Sequence, residues 1–337
     1  MRNISLAQRP QISARTERWP FKKPFRITGY EFTESDVLVV EARVGDVCGR
    51  GEALGVYYRD DDPASGLRQI EMLVDGVDAG ANAEELVAAL APGGARNAAD
   101  CALWDLRAKL SGRPVWQLLG LEAPRPVRTT FTVGAGEPDE MAQTARGYTK
   151  ASALKLKLTG GDDAARVRGV RAARPDVWLG VDANQGFTRE SLQRLMPLLQ
   201  ECDVKLVEQP FPIGRESELD DFVSPIPIAA DESVQDSSDL PKVAGRFDVV
   251  NIKLDKCGGL TEGFAMLGEI RRMGLRPMVG CMGGTSLSMA PSFLLGQLCD
   301  VVDLDGPILF ARDREPSASY DDEGRIFCGE DLWGGAR

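Results

Sequence analysis

Five charged residues stand at the ends of successive short apolar runs, and consecutive members of the series are 22 to 26 residues apart. In chain order they are Lys157, Asp182, Glu208, Asp231 and Lys253. Unpaired buried charges are costly, so five of them in register indicate a shared function. Three neighbouring carboxylates without histidine or cysteine form an all-oxygen site, which suits Mg²⁺ or Mn²⁺ rather than zinc or copper.

Two lysines flank the three carboxylates in this series. We expect Lys157 and Lys253 to approach the metal from opposite sides, which would place the α-carbon of a bound carboxylate between two amines. This arrangement suits removal of a proton α to a carboxylate, with the metal stabilising the developing negative charge. Lys155 shares a strand face with Lys157, because side chains two apart on a strand point the same way. Since a like charge disfavours the ammonium form, Lys155 is predicted to lower the pKa of Lys157.

The elements that position these residues follow a β/α alternation. Eight short apolar runs, separated by seven helix-length segments, occupy 128–134, 153–158, 178–184, 204–210, 226–233, 248–254, 276–282 and 301–307. This alternation predicts a parallel sheet, and eight such strands favour a closed β/α barrel with its chemistry at the carboxyl ends of the strands. An open doubly wound sheet is the alternative, but "TVGAGEPDE" lacks the third glycine of a phosphate-binding turn.

The chain before the barrel has a different pattern. Residues 1 to about 60 contain β-rich runs around a hairpin signal at Gly45-Asp46, and residues 64–120 have apolar residues at helical spacing. The proline-containing stretch "LEAPRPVRTT" marks the boundary. We therefore predict a first domain over 1–122, a barrel over 123–307, and a segment, 308–337, that returns to the first domain.

Composition excludes several classes of function. The net charge is −11 and no long basic run occurs, so neither nucleic acid nor an anionic membrane is an expected partner. The chain has no histidine, which excludes imidazole-based catalysis and histidine-ligated zinc. Seven scattered cysteines without a CxxC pair predict reduced thiols. No leader-like or membrane-spanning apolar stretch is present, so a cytoplasmic protein is predicted.

The motifs around the charged series resemble those of the enolase superfamily, in its muconate-lactonizing-enzyme subgroup. They are "KLK", "VDAN", "VEQP", "ADES" and "NIKLDKCGG". The resemblance implies a (β/α)7β TIM-like barrel with an N-terminal α+β capping domain, of which "CALWDLRAKLSGRPVWQLLG" would be the end. It also implies that Asp182, Glu208 and Asp231 bind the metal and that Lys157 and Lys253 are the acid/base pair. Lys256 is expected beside the site or on the surface.

Reactions within this subgroup differ, and the "VDLDGP" stretch bears on the choice. Asp303 and Asp305 are two apart on the last predicted strand, so both should face the barrel mouth. The pattern is similar to dipeptide epimerases, in which such a pair holds the α-ammonium of the substrate. A cycloisomerase, an o-succinylbenzoate synthase and a catalytically inactive metal-binding barrel remain the alternatives.

Cationic residues of the first domain suggest which dipeptide would bind. Lys22, Lys23, Arg26 and Arg59 could neutralise an anionic side chain, which favours L-Ala-D/L-Glu, although solvated surface charge is the commoner fate of such residues. The predicted partner is therefore a small dipeptide, and a homo-oligomer is possible.

Overall fold

The computed structural model describes residues 8–337. The first part of the chain forms a three-stranded antiparallel sheet followed by helices. Its strands are β1 (Gln11–Ile27), β2 (Tyr30–Val44) and β3 (Val47–Ala53), and its helices are α1 (Pro63–Asp78), α2 (Ala83–Ala89), α3 (Gly94–Ser111) and α4 (Val115–Leu118). The predicted hairpin joins β2 to β3, and Gly45 adopts the left-handed conformation that its turn requires.

The two faces of this sheet pack against different partners because strand side chains alternate. Leu38 and Val40 of β2 pack with the helices, whereas Val37 and Val39 pack with Trp19 and with the C-terminal segment. Helix α3 approaches β3 closely, and a Cβ at Gly51 would collide with the carbonyl of Ala98. Glycine in this strand is therefore explained by the close helix–sheet contact.

The second part of the chain is the predicted barrel. Its eight parallel strands lie side by side in chain order. They are β5 (Phe131–Val133), β6 (Ala153–Lys157), β7 (Trp178–Asp182), β8 (Val204–Glu208), β9 (Ile228–Ala230), β10 (Val249–Lys253), β11 (Arg276–Gly280) and β12 (Val301–Asp303). Just before β5, the Thr130 backbone N donates to the Val302 carbonyl at 3.0 Å, which brings the first strand against the last. The prediction of an eight-stranded β/α barrel is confirmed.

The connections between strands are leaner than predicted. The helices are α5 (Pro138–Gly147), α6 (Asp163–Ala173), α7 (Arg189–Glu201), α8 (Leu240–Val243), α9 (Leu254–Cys257), α10 (Leu260–Arg272), α11 (Ser286–Gly296) and α12 (Gly306–Leu309). The prediction of seven intervening helices is wrong. The β8–β9 connection holds only the 3₁₀ turn Glu216–Leu219, and the next connection holds only the 3₁₀ turn Ser237–Asp239 and the short α8. These short connections explain how the barrel fits into so few residues.

The C-terminal segment packs between the two parts. Strands β13 (Ser319–Tyr320) and β14 (Arg325–Phe327) form a small sheet with β4 (Val127–Arg128), so the start of the predicted first barrel run belongs to this sheet. The segment also contacts the first domain, because Arg314 Nη2 lies 2.6 Å from Glu52 Oε2 and Trp333 Nε1 donates to the Arg50 carbonyl at 2.8 Å. None of the helices within residues 8–337 is long and apolar enough to cross a membrane.

Candidate active site

The carboxyl ends of the barrel strands bring the predicted residues together. Lys157, Asp182 and Glu208 are direct neighbours in the strand register of β6, β7 and β8, so their side chains stand at one level. Asp231 follows β9 directly, and Lys253 ends β10. The carboxylates of Asp182, Glu208 and Asp231 offer oxygens that all lie within 4.8 Å of one another, and each residue is at most 1% exposed. This triad could hold a metal ion.

The chemistry of the surroundings fits a divalent cation. Among the described residues, six buried carboxyl groups and four buried lysines lie around the barrel side of the site, a formal excess of two negative charges when all ten are ionised. These groups are Asp182, Glu208, Asp231, Glu232, Asp303 and Asp305, and Lys155, Lys157, Lys253 and Lys256. Burial and repulsion from Asp182 raise the pKa of Glu208 to about 7. A cation among the oxygens would relieve this repulsion, and an all-oxygen donor set is the kind that Mg²⁺ prefers.

Two buried acceptors beside the triad also lack donors. Asn184 donates to Glu232 Oε1 at 3.1 Å, but Asn184 Oδ1 and Glu232 Oε2 accept no hydrogen bond from the described residues. Burial and repulsion from Asp231 raise the pKa of Glu232 to about 8. Buried acceptors of this kind are normally satisfied, so a ligand or a water molecule is expected to donate to them. Sequence reasoning missed Glu232, although it lies in the "ADES" motif.

Lys157 and Lys253 each contact a different carboxylate of the triad. Lys157 Nζ lies 2.6 Å from Asp182 Oδ2, and Lys253 Nζ lies 2.6 Å from Asp231 Oδ2. Burial alone would lower the pKa of Lys253, but attraction to Asp231 outweighs it and holds the pKa well above its ordinary value. Both amines line the same cavity, which is what two acid/base groups acting on one substrate require.

Lys155 is surrounded by carboxylates. Its Nζ lies 2.7 Å from Asp303 Oδ2, 2.9 Å from Glu208 Oε2 and 3.3 Å from Asp182 Oδ2. Burial alone would lower the pKa of Lys155, but these carboxylates hold it well above its ordinary value. Lys155 therefore joins the triad to the last strand, a contact that sequence reasoning did not anticipate. Its predicted effect on the pKa of Lys157 stays a prediction.

Lys256 is buried, so its alternative placement on the surface is wrong. Its Nζ donates to Asp231 Oδ1 at 2.7 Å and to the Asn251 carbonyl at 3.1 Å. Burial alone would raise the pKa of Asp231, but the ammonium groups of Lys253 and Lys256 hold it far below its ordinary value. The carboxylate of Asp231 is therefore kept ionised and fixed in place from two sides.

Asp303 and Asp305 line the same cavity but have different partners. Asp303 accepts from Lys155 and from the Thr130 hydroxyl. Asp305 lies beyond the end of β12 rather than on the strand, and its Oδ2 accepts from the Thr132 backbone N at 2.5 Å. Burial and repulsion from Asp303 raise the pKa of Asp305 to about 6. Asp305 is therefore the member of the pair whose charge is less compensated.

The cavity above these groups has a volume of about 330 Å³ and lies between the barrel and the first domain. The first domain contributes an aromatic cluster to the lining, together with the acidic residues Glu34, Asp36, Asp61 and Asp62. The cluster consists of Phe21, Phe25, Phe32, Tyr57 and Tyr58, with Ile27 beside it. Most of these residues lie in the stretches 19–29 and 55–63, which contain the predicted cations and were expected to influence substrate choice, but sequence reasoning singled out the cations and not the aromatic side chains. The size suits a small ligand, and both Lys157 and Lys253 line the barrel side of the cavity.

The predicted cations of the first domain do not line this cavity. Lys22, Lys23 and Arg26 line a neighbouring cavity of about 870 Å³, which shares Phe25, Thr132 and Leu309 with the first one. The side chain of Lys22 donates to the Ile308 carbonyl at 2.9 Å, and Arg26 Nε lies 2.5 Å from Glu31 Oε2. Arg59 is exposed and lines neither cavity, so its predicted contact with the substrate stays a prediction that this structure does not support.

Comparison with known families agrees with this geometry. Residues 11–120 match the mandelate racemase / muconate lactonizing enzyme N-terminal domain, and residues 139–303 match the enolase C-terminal domain-like family. The chain belongs to the enolase superfamily. The resemblance inferred from the motifs is thereby confirmed, and so is the fold that it implied.

The relatives of this superfamily member include dipeptide epimerases and a racemase. The chain is 39% identical over 306 residues to the L-Ala-D/L-Glu epimerase of Escherichia coli, covering 90% of this chain and 95% of the relative. Its structure is similar to an enolase family member from Agrobacterium tumefaciens with bound sodium and L-Ala-L-Glu, at a TM-score of 0.92 and 39% identity, covering 96% and 100%. It is also similar to the dipeptide epimerase of Enterococcus faecalis complexed with Mg and L-Leu-L-Tyr. The TM-score is 0.87 and the sequence identity is 27%, and the match covers 96% of this chain and 98% of that chain.

Proposed function

We propose that this superfamily member is a Mg²⁺-dependent dipeptide epimerase whose substrate is L-Ala-D/L-Glu. The observation that carries the proposal is the position of two lysines on opposite sides of a three-carboxylate site. The sequence similarity to an L-Ala-D/L-Glu epimerase supports the substrate. The similarity to structures holding dipeptides supports the substrate class.

Asp182, Glu208 and Asp231 would hold the metal ion. When bound, Mg²⁺ would stabilise the negative charge that develops on the substrate carboxylate as the α-proton leaves. Mn²⁺ suits the same oxygen ligands. The similarity to an epimerase structure complexed with Mg supports the choice of magnesium.

Lys157 and Lys253 would move the proton. One amine takes the α-proton of the C-terminal residue, so the C–H bond breaks and the proton binds to that Nζ. The ammonium on the other face then donates its proton to the same carbon, which inverts the configuration. Both lysines are at most 7% exposed and both line the cavity, so each amine can act on a ligand bound there.

Asp305 and Asp303 would bind the α-ammonium of the dipeptide. Asp305 supports this role because no lysine or arginine within residues 8–337 hydrogen-bonds to its carboxylate, which nevertheless lines the cavity. A charge-assisted hydrogen bond from the substrate would satisfy it. The same carboxylate would repel the dianionic substrate of a cycloisomerase, which counts against that alternative. The presence of all five metal and lysine positions counts against an inactive barrel.

Arg26 and Lys22 would neutralise the glutamate side chain. Both line the second cavity, which shares Phe25, Thr132 and Leu309 with the first, and this adjacency supports the role of the two cations. The proposal does not extend to Arg59. We also propose a cytoplasmic location, which the seven unpaired cysteines support. The possible homo-oligomer remains a prediction.

The test is solvent exchange into dipeptides. Purified protein with Mg²⁺ is incubated in D₂O with L-Ala-L-Glu, and mass spectrometry follows α-deuterium while chiral chromatography follows L-Ala-D-Glu. The proposal predicts exchange and epimerisation together, and loss of both after metal chelation. Turnover of a muconate or cyclohexadiene acid, without exchange into any dipeptide, would instead identify one of the alternative enzymes.

A further inference from the structure

Asp255 connects the first domain to the barrel beside the site. It lies two residues after Lys253, in the first turn of α9, and it is 5% exposed. Its Oδ1 accepts from the backbone N of Leu54 at 2.7 Å and from the backbone N of Gly55 at 3.0 Å. These two residues directly follow β3, so one barrel carboxylate holds the start of a loop that belongs to the first domain.

That loop, residues 54–62, forms part of the cavity wall. Leu54, Gly55, Tyr57 and Tyr58 all line the cavity that contains Lys157 and Lys253. The loop is folded tightly: the Val56 backbone N donates to the Asp61 carbonyl at 2.8 Å. Gly55 has a φ of +81°, and a Cβ there would collide with the Asp61 carbonyl. Because the loop is closed on itself by this hydrogen bond, its attachment at Leu54 and Gly55 constrains where its tyrosines stand.

A second attachment lies at the other end of the tyrosine pair. The side-chain amide of Gln235 donates to the Tyr58 hydroxyl at 3.2 Å. Gln235 follows the "ADES" segment, so the loop is tied to the barrel after both β9 and β10. The Asp255 attachment is the shorter one and involves backbone donors, which makes it the stricter constraint on the loop.

The carboxylate at position 255 is poorly suited to a purely stabilising role. It receives two backbone hydrogen bonds and forms no ion pair within the described residues. Burial, with added repulsion from Asp61 and Glu52, raises its pKa to about 7. A buried carboxyl without a cation is costly, so its presence is better explained by the position it enforces than by stability.

We infer that Asp255 is a positioning residue that fixes the 54–62 loop at the cavity and thereby sets the first domain's wall of the cavity that Lys157 and Lys253 also line. This inference rests on the proposed function for its kinetic consequences. Without the attachment, the loop would sample other positions and Tyr57 and Tyr58 would no longer form a fixed wall. Substrate binding would weaken more than the proton transfer itself, because the lysines stay in place on their strands.

Asp100 provides a matched control. It also carries a buried carboxylate that crosses from the first domain to the barrel, accepting from Thr261 N at 2.9 Å and from Thr261 Oγ1 at 2.6 Å. Neither Asp100 nor Thr261 lines the cavity. Asp100→Ala therefore removes a comparable contact between the two parts without releasing the 54–62 loop.

The experiment compares Asp255→Ala, Asp255→Asn and Asp100→Ala in the full chain with Mg²⁺ and L-Ala-L-Glu. Asp255→Ala should raise KM about tenfold or more and change kcat less, since lost charge-assisted hydrogen bonds have effects of this size. Asp255→Asn keeps an oxygen acceptor for the two backbone N–H groups, so its KM should lie much closer to the wild-type value than that of Asp255→Ala. Asp100→Ala should lower Tm about as much as Asp255→Ala does, while its KM stays within about twofold of the wild-type value. An equal rise of KM in Asp100→Ala would overturn the inference.

A readout without substrate separates this inference from the proposed function. Hydrogen–deuterium exchange, followed by mass spectrometry of peptides covering 54–62, should accelerate in Asp255→Ala but not in Asp255→Asn or Asp100→Ala. If the wild type epimerises no dipeptide, the proposed function fails while the exchange result still decides the role of Asp255. Unchanged exchange of the loop in Asp255→Ala would show that Asp255 does not hold it.

Discussion

Lys157 and Lys253 end strands four apart in an eight-stranded barrel, and each amine lies 2.6 Å from a different carboxylate of the same triad. In a closed ring of eight strands, this separation is the largest possible. The two amines therefore approach the centre of the barrel mouth from opposite sides. A carbon held between them could lose a proton on one face and gain one on the other.

Removing either lysine should abolish epimerisation while leaving a one-sided exchange. Lys157→Ala and Lys253→Ala should each lower kcat at least about a hundredfold, because a positioned acid or base contributes at least that much. Each variant should still exchange the α-proton of one enantiomer, which mass spectrometry in D₂O would detect. Lys205→Ala, at an exposed lysine of β8, is the control and should keep normal activity. Wild-type epimerisation in either active-site variant would refute the two-base assignment.

The three carboxylates of the triad should determine metal affinity. Asp182→Asn, Glu208→Gln and Asp231→Asn should each weaken Mg²⁺ binding by about tenfold or more, measured by calorimetry in the absence of substrate. Asp305→Asn removes a nearby carboxylate that is not in the triad, so its Mg²⁺ affinity should change much less. Unaltered affinity in all three triad variants would place the metal elsewhere.

Asp305 should make the enzyme require a free α-ammonium. N-acetyl-L-Ala-L-Glu should be a poor substrate for the wild type, because acetylation removes the charge that the carboxylate would pair with. Asp305→Asn should raise KM for the free dipeptide about tenfold to a hundredfold. The difference in KM between the free and the acetylated dipeptide should therefore become smaller than in the wild type. Steady-state kinetics on both compounds provide the measurement. Equal turnover of free and acetylated dipeptide by the wild type would count against this role.

Arg26 should distinguish glutamate from other second residues. Arg26→Ala should raise KM for L-Ala-L-Glu about tenfold, while KM for L-Ala-L-Phe should change little, since only the anionic side chain loses a partner. Arg59→Ala is the matched control, because Arg59 is an exposed arginine outside both cavities. Faster turnover of L-Ala-L-Phe or L-Ala-L-Lys than of L-Ala-L-Glu by the wild type would refute the Ala-Glu assignment but not the epimerase assignment.

Asp255 should make the free energy of unfolding depend on pH. Its pKa is about 7 in the folded chain, against 3.8 for an ordinary aspartate, so the folded state holds the proton more tightly. Ionisation therefore destabilises the fold as pH rises from about 4 through 7, by up to about 4 kcal/mol. Asparagine does not ionise, so Asp255→Asn should gain stability relative to the wild type between pH 5 and pH 8. Denaturant unfolding of the wild type and of Asp255→Asn at pH 5 and pH 8 measures the difference in their free energies of unfolding. The same difference at both pH values would contradict the prediction.

The series from Lys157 to Lys253 could be predicted from sequence because it depends on a local repeat. Each β/α unit returns the chain to the same end of the barrel after 22 to 26 residues, so spacing alone indicated that these five side chains meet. The charge types then indicated an oxygen-liganded metal between two amines. The missing helix between β8 and β9 was not predictable in this way, because a polar connection of that length can be helical or irregular.

The remaining features of the site depend on contacts between residues far apart in the chain. Three contacts join segments that no local periodicity relates. They are the pairing of Lys155 with Asp303, the packing of the aromatic side chains around Tyr57, and the hydrogen bond from the Leu54 backbone N to Asp255. The same is true of Arg26 and Arg59, which carry the same charge but reach different surroundings. Sequence determined which groups stand at the strand ends, since the pleat and the β/α repeat are local. The tertiary structure alone decided which groups pair, because packing of the first domain on the barrel sets those distances.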